Sequence, residues 1–123
     1  MFWSTYTTFA SLADIDLETQ RAVRVFIERI SGRYDLVGAI LFGSRAHRNH
    51  RPDSDVDIAV LLHGSHGDRV DAAIGMAGIA FDVLLETGIL VEALPLWEDE
   101  WAHPERFNNP FLIANIRREG VRL

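Results

Sequence analysis

Cysteine and lysine are both absent from the 123 residues of this chain. Without cysteine the chain can form no disulfide bond, no thiolate nucleophile and no cysteine-ligated zinc site. Without lysine it cannot place a lysine against a phosphate as P-loop enzymes do. The basic residues are all arginine, and the net charge of −6 argues against general nucleic-acid binding through a basic surface. No apolar run approaches the roughly 18 residues that a membrane helix needs, so we expect no membrane association.

The size and composition are those of one globular domain spanning residues 1–123, with 48% hydrophobic residues available for a core. Residues 1–15 lack a clear period and are interpreted as a loose arm or an added strand. Residues 105–123 are expected to form a C-terminal helix and tail. Because Met1-Phe2-Trp3-Ser4 has no basic stretch typical of a signal peptide, and because cysteine is absent, we expect a cytoplasmic protein.

Helical and strand periodicities alternate along the chain, which predicts an α/β (α+β) domain with a small mixed sheet of three or more strands flanked by helices. The cap at Asp16 and the glycine at Gly32 predict the ends of the first helix, and Gly88 predicts the end of the second. A cap at Asn109 predicts the start of the last helix. The predicted helices span about 17–31, 68–87 and 110–119, and the predicted strands span 37–42, 55–62 and 89–94, the last ended by Pro95.

Two acidic residues, Asp55 and Asp57, begin the second predicted strand. Alternate strand residues share one face and lie about 6.5 Å apart, so two such carboxylates can hold a divalent cation or bridge two cations. Without a cation, two like charges on a half-buried strand are costly to desolvate. Gly43-Ser44, at the end of the first strand, lets the backbone approach a phosphate and adds a hydroxyl donor. Together these residues predict a site for a metal-bound triphosphate.

Gly43-Ser44, followed eleven residues after the serine by Asp55-x-Asp57, resembles the signature of the polymerase-β nucleotidyltransferase superfamily. The order of elements over about 20–120 is similar as well, and the minimal MNT type is the group it most resembles. The resemblance implies a polymerase-β-like fold, in which Gly43, Ser44 and Arg45 contact the triphosphate while Asp55 and Asp57 bind Mg²⁺. The chain departs from the family pattern at His47-Arg48, where family members often have arginine and glycine.

Active members of the superfamily use a third carboxylate as a base towards the attacking hydroxyl. Glu92, on the third predicted strand, is our candidate for a third catalytic carboxylate beside Asp55 and Asp57. Asp82 is the alternative, although its spacing places it on the second long helix. The arginines and histidines of 45–51 either steer a triphosphate or form a solvated loop, and the sequence leaves both readings open. Trp97 and Trp101 are expected to pack over the core, with stacking on a base or anchoring of a partner as the alternative.

The resemblance implies transfer of AMP from ATP, with Mg²⁺ as cofactor, to a hydroxyl of a HEPN-type toxin protein, for which this chain would be the antitoxin. The 29 residues that follow the third predicted strand are too few for a separate acceptor domain, which favours an acceptor site supplied by a partner or a second subunit. One alternative is an inactive or weak transferase fold that neutralises its partner by binding. Another is a small-molecule nucleotidyltransferase acting as a homodimer.

Overall fold

The computed structural model describes residues 15–46, 51 and 53–123. The predicted arm therefore falls outside the described residues, apart from Ile15, as does most of the basic connection before the second strand. No helix within the described ranges is both long and apolar enough to cross a membrane. The elements in chain order are α1 (Leu17–Ile30), β1 (Leu36–Phe42), β2 (Val56–Leu62), α2 (Arg69–Thr87), β3 (Val91–Trp97), α3 (Glu98–Ala102), α4 (Pro110–Glu119) and β4 (Val121–Arg122).

The strands form one mixed sheet in the order β3-β2-β1-β4. Strand β1 runs antiparallel to both of its neighbours, β2 and β4, whereas β2 and β3 are parallel. The predicted fold class, a small mixed sheet flanked by helices, is confirmed. The two-residue β4 and the five-residue α3 were not predicted, because such short elements leave no measurable periodicity in the sequence.

The two faces of the sheet are covered by different helices. Val56, Ile58, Val60 and Leu62 of β2 belong to the larger core cluster, which contains the buried sides of α1 and α2. The intervening residues Ala59 and Leu61 belong to a second cluster with Trp101 and the buried side of α4. Because strand residues alternate between faces, the residue before Ala59 on the same face is Asp57. The predicted metal-binding face is therefore the one that α3 and α4 cover.

The predicted helix starts are confirmed by side-chain caps. The carboxylate of Asp16 accepts a hydrogen bond from the backbone N–H of Thr19 at 3.0 Å, and Asn109 caps α4 in the same way. Helix α2 ends at the predicted Gly88, which has a left-handed conformation. Helix α1 ends at Ile30, within one residue of the prediction, with Ser31 as its C-cap and Gly32 directly after the cap.

The prediction that the third strand ends at Pro95 is wrong, because β3 continues through this residue to Trp97. Strand β3 is an edge strand, and the Pro95 carbonyl accepts a hydrogen bond at 2.5 Å from Arg69. The backbone of Pro95 therefore faces away from β2, so its missing N–H costs no hydrogen bond within the sheet. Trp97 and Trp101 are both buried, as expected, but on opposite faces of the sheet.

Candidate active site

A tight turn follows the C-terminal end of β1. Gly43 has φ +76°, and its carbonyl accepts a hydrogen bond from the Ala46 N–H at 3.1 Å, which closes a short 3₁₀ turn over Ser44–Ala46. A residue with a side chain rarely adopts this φ. The glycine therefore fixes the direction in which the chain leaves the strand and places Ser44 at the start of the turn.

The sheet register brings the predicted acidic residues to this turn. Phe42, the last residue of β1, is paired with Asp57, and Asp57 is paired with Glu92 at the start of β3. Asp55 lies immediately before β2. Glu92 lies on the same face as Asp57, because alternate residues of β3 pack in the second core cluster. Three carboxylates from two parallel strands thus meet beside the Gly43 turn.

Gly43 and Asp57 are in closer contact than any other residue at position 43 would permit. A Cβ atom added to Gly43 would overlap Asp57 Oδ2 and would lie 3.2 Å from Asp57 Cγ. Two physical constraints therefore favour glycine at position 43: its positive φ and the space that the Asp57 carboxylate occupies beside it. The turn and the carboxylate are parts of one arrangement rather than separate features of two strands.

The carboxylates perturb one another. Burial raises the pKa of Asp57 above its ordinary value, a hydrogen bond with Glu92 partly offsets this, and the charge of Asp55 raises it further. A hydrogen bond with Asp55 is the main cause of a raised pKa for Glu92, followed by burial and by the charges of both aspartates. Each shift has the sign expected when like charges are brought together without a compensating cation.

The donor set fits Mg²⁺ held jointly by protein and substrate. Asp55, Asp57 and Glu92 supply only oxygen ligands, which Mg²⁺ prefers. Within the described ranges, no three carboxylate or imidazole groups are already arranged to hold a metal ion by themselves. Mg²⁺ in phosphoryl-transfer sites is ordinarily bound by one or two carboxylates together with phosphate oxygens and water, so a complete protein cage is not required.

Arg45 does not occupy the position expected for a side chain that contacts triphosphate. It is only 1% exposed, its Nε donates to the Ser54 carbonyl at 2.9 Å, and its Nη1 donates to the Thr19 hydroxyl at 2.8 Å. Thr19 in turn donates to Asp16 at the start of α1. The guanidinium thus links the Gly-Ser turn, the start of α1 and the residue preceding Asp55. Arg45 therefore helps to position the turn and the residue before Asp55 through hydrogen bonds inside the protein.

Sequence reasoning missed this bracing network. Thr19 and Ser54 gave no signal, because a threonine in the first turn of a helix and a serine in a loop are ordinary residues at such positions. Their connection through Arg45 exists only because the fold brings its guanidinium within reach of both residues. The other basic residues predicted to steer a triphosphate include 47, 48 and 50, which lie outside the described residues.

Of the two candidates for the third carboxylate, Glu92 lies beside the two aspartates and Asp82 does not. Glu92 interacts with both Asp55 and Asp57, whereas Asp82 is exposed on α2. A groove of about 390 Å³ between α2 and the edge of β3 includes Glu92 in its wall. The rest of its lining is apolar: Ala73, Ala77, Ala80, Leu90, Val91 and Ala93. The geometry favours Glu92 as the third member of the acidic cluster.

Comparison with known proteins places this geometry in a family. The family model described as polymerase beta, nucleotidyltransferase matches residues 26–87, which are 62 of the 123 residues and include Gly43, Ser44, Asp55 and Asp57. No curated protein matches the chain in sequence. A solved structure of a candidate nucleotidyltransferase from Sulfolobus solfataricus is similar, with a TM-score of 0.53 and 20% identity, over 85% of this chain and 81% of that one. At this identity the similarity supports the fold alone. On the family match, which covers just over half of its length, the chain belongs to the polymerase-β nucleotidyltransferases.

Proposed function

We propose that this chain is a Mg²⁺-dependent nucleotidyltransferase that transfers AMP from ATP to a hydroxyl group of a partner protein. The observation that carries the proposal is the meeting of Asp55, Asp57 and Glu92 beside the Gly43 turn. Membership of the family makes nucleotidyl transfer the reaction class. The identity of the metal, of the nucleotide and of the acceptor are parts of the proposal.

Asp55 and Asp57 would hold the metal, and the Gly43-Ser44 turn would bind the triphosphate. When bound, Mg²⁺ neutralises phosphate charge and makes a coordinated hydroxyl easier to deprotonate. Gly43 has no side chain between its backbone and an approaching phosphate, and Ser44 offers a backbone N–H and a hydroxyl as donors. The buried Arg45 keeps this turn and the residue before Asp55 at a fixed separation.

Glu92 would act as the general base. Its carboxyl lies beside Asp55 and Asp57, next to the place where the metal and the acceptor hydroxyl would be bound. In the proposed step the acceptor oxygen attacks the α-phosphorus of ATP, and its proton passes to a Glu92 carboxylate oxygen. The bond between the α-phosphorus and the bridging oxygen breaks, so pyrophosphate leaves and AMP remains on the acceptor.

A tyrosine of a HEPN-type toxin is the acceptor that we propose, from the resemblance of the Gly-Ser and Asp-x-Asp motif to MNT-type antitoxins. The groove at Glu92 supports an aromatic acceptor, because its other walls are alanine, leucine and valine side chains. A phenol ring suits such walls.

Transfer of label from [α-³²P]ATP tests the proposal. The chain is incubated with Mg²⁺ and the protein encoded by the adjacent gene, and label is followed on that protein. We expect labelling by the wild type and by Asp82→Asn, a matched control that removes an exposed acid on α2, but none by Asp57→Asn. A stable complex without label transfer would contradict the proposal and indicate neutralisation by contact. Labelling by Asp57→Asn equal to the wild type would also contradict it.

A further inference from the structure

Helix α2 is apolar on the side that faces away from the core. Ala72, Met76, Ile79, Ala80 and Val83 form its buried side. On the opposite side Val70 is 69% exposed, Ile74 69%, Phe81 56% and Leu85 71%. Ala77 and Gly78 are exposed between them. These six residues form a continuous stripe at helical spacing, which we call the α2 stripe. A solvated helix ordinarily presents polar residues on this side.

The large and small side chains of the α2 stripe are placed symmetrically about its midpoint. Val70 and Leu85 are equally distant from the midpoint between Ala77 and Gly78, and Ile74 and Phe81 form the next equidistant pair. Large side chains thus lie towards both ends and the two smallest residues lie at the centre. Among the described residues, no atom lies within 4 Å of a Cβ built on Gly78, so the centre of the α2 stripe has room for another backbone. A two-fold axis at an isologous interface requires a surface that is complementary to itself in this way.

We propose that a second copy of this chain docks on the α2 stripe, with the two α2 helices antiparallel and a two-fold axis beside Ala77 and Gly78. Val70 of each copy then packs against Leu85 of the other, and Ile74 packs against Phe81. The exposed parts of the α2 stripe amount to roughly 500 Å² per copy, so the pair buries on the order of 1,000 Å², the lower limit for a specific interface. This pairing does not depend on the proposed transfer reaction.

The pairing also affects the groove at Glu92. Ala77 belongs to the α2 stripe and to the wall of that groove, so a second copy on α2 borders the groove on its outer side. Each active site is then approached beside the dimer interface.

Molar mass in solution is the first test. Light scattering after size exclusion should give twice the chain mass at about 100 µM for the wild type. The variant Ile74→Asp should elute as a monomer with an unchanged circular dichroism spectrum, since its side chain leaves no core cavity. Phe111→Asp is the matched control, because Phe111 is 81% exposed on α4 outside the α2 stripe, and it should remain a dimer. A monomeric wild type would overturn the proposal. It would leave residues 1–14 or another protein as the occupant of the α2 stripe.

Cross-linking tests the orientation, using the absence of native cysteine. Gly78→Cys should form a disulfide-linked dimer under mild oxidation, because the two copies of this position meet at the axis. Val70→Cys alone should not, since its two copies lie about 22 Å apart along antiparallel helices. A mixture of Val70→Cys and Leu85→Cys should cross-link as the mixed pair. Efficient linking of Val70→Cys to itself, or none by Gly78→Cys, would overturn the antiparallel arrangement.

Discussion

A side chain on Gly43 would occupy the space that Asp57 Oδ2 fills. The turn that ends one strand and the carboxylate at the start of the next are therefore interdependent. Gly43 also has φ +76°, so its backbone conformation and its neighbour both select glycine. This relationship connects the phosphate-binding half of the proposed site to its metal-binding half, and it leads to the first prediction.

Replacement of Gly43 by alanine should abolish Mg²⁺-dependent ATP binding and cost about 1–2 kcal/mol of unfolding free energy from the left-handed conformation. Gly64→Ala is the matched control, because Gly64 has φ +90° and no atom of the described part of the chain lies within 4 Å of the added Cβ. It should cost a similar free energy and leave ATP binding intact. Urea unfolding and calorimetric titration measure the two effects. If both variants bind ATP equally well, the contact with Asp57 has no role in the site.

Asp57→Asn should stabilise the metal-free protein at neutral pH. Burial raises the pKa of Asp57 above its ordinary value of 3.8. The folded state then favours the protonated form, so this group contributes stability below pH 3.8 that is lost as the pH rises through the folded pKa. Asparagine does not ionise, and the variant should not show that part of the decline. Thermal unfolding in EDTA between pH 3 and 8 tests this. A variant less stable than the wild type at pH 7 would contradict the account.

Glu92→Gln should separate binding from chemistry. We expect Mg²⁺-dependent ATP binding within a few-fold of the wild type, because Asp55 and Asp57 remain, and transfer slowed by roughly 10²–10⁴-fold through loss of the base. Single-turnover labelling at saturating ATP measures the chemical step. Asp82→Asn serves as control and should transfer at the wild-type rate. If transfer requires Asp82 and does not require Glu92, then the general base is Asp82 on α2 and the assignment to Glu92 is wrong.

Arg45→Lys should destabilise the protein although it preserves the charge. One ammonium group cannot reproduce the separate hydrogen bonds from Nε to Ser54 and from Nη1 to Thr19, and a buried group left unpaired costs about 1–3 kcal/mol. Arg51→Lys is the control, because Arg51 is exposed, and it should change stability by less than about 0.5 kcal/mol. Urea unfolding distinguishes them. Equal stability of the two variants would show that the guanidinium does not brace the turn.

The sequence predicted the parts of the site that depend on local spacing. Asp55 and Asp57 are two residues apart on a strand, and Gly43-Ser44 interrupts an apolar run, so both features were visible before the fold was known. The apolar run places Glu92 on the third strand. Its position opposite Asp57, however, depends on the register between two strands whose paired residues are 35 positions apart in the chain. That register is a pairing between residues far apart in the chain, so the spacing around Asp57 or around Glu92 alone does not specify it.

The misplaced features share a dependence on tertiary context. Proline is typical of a strand end, but Pro95 lies inside β3 because β3 is an edge strand. The spacing of Arg45 from the Gly-Ser turn suggests a contact with triphosphate, but its side chain is buried and donates hydrogen bonds to Ser54 and Thr19. In both cases the residue type suggested one role and a neighbour distant in sequence decided another.

If the Gly43 turn and the acidic residues beside it form one site for a metal-bound nucleoside triphosphate, isothermal titration of the chain with ATP, in Mg²⁺ and in EDTA, will detect it. We expect saturable binding to one site per chain in Mg²⁺, loss of that binding in EDTA, and no binding by Asp57→Asn in either condition. ATP binding that is unaffected by EDTA and by Asp57→Asn, or no binding in Mg²⁺ at all, would contradict it.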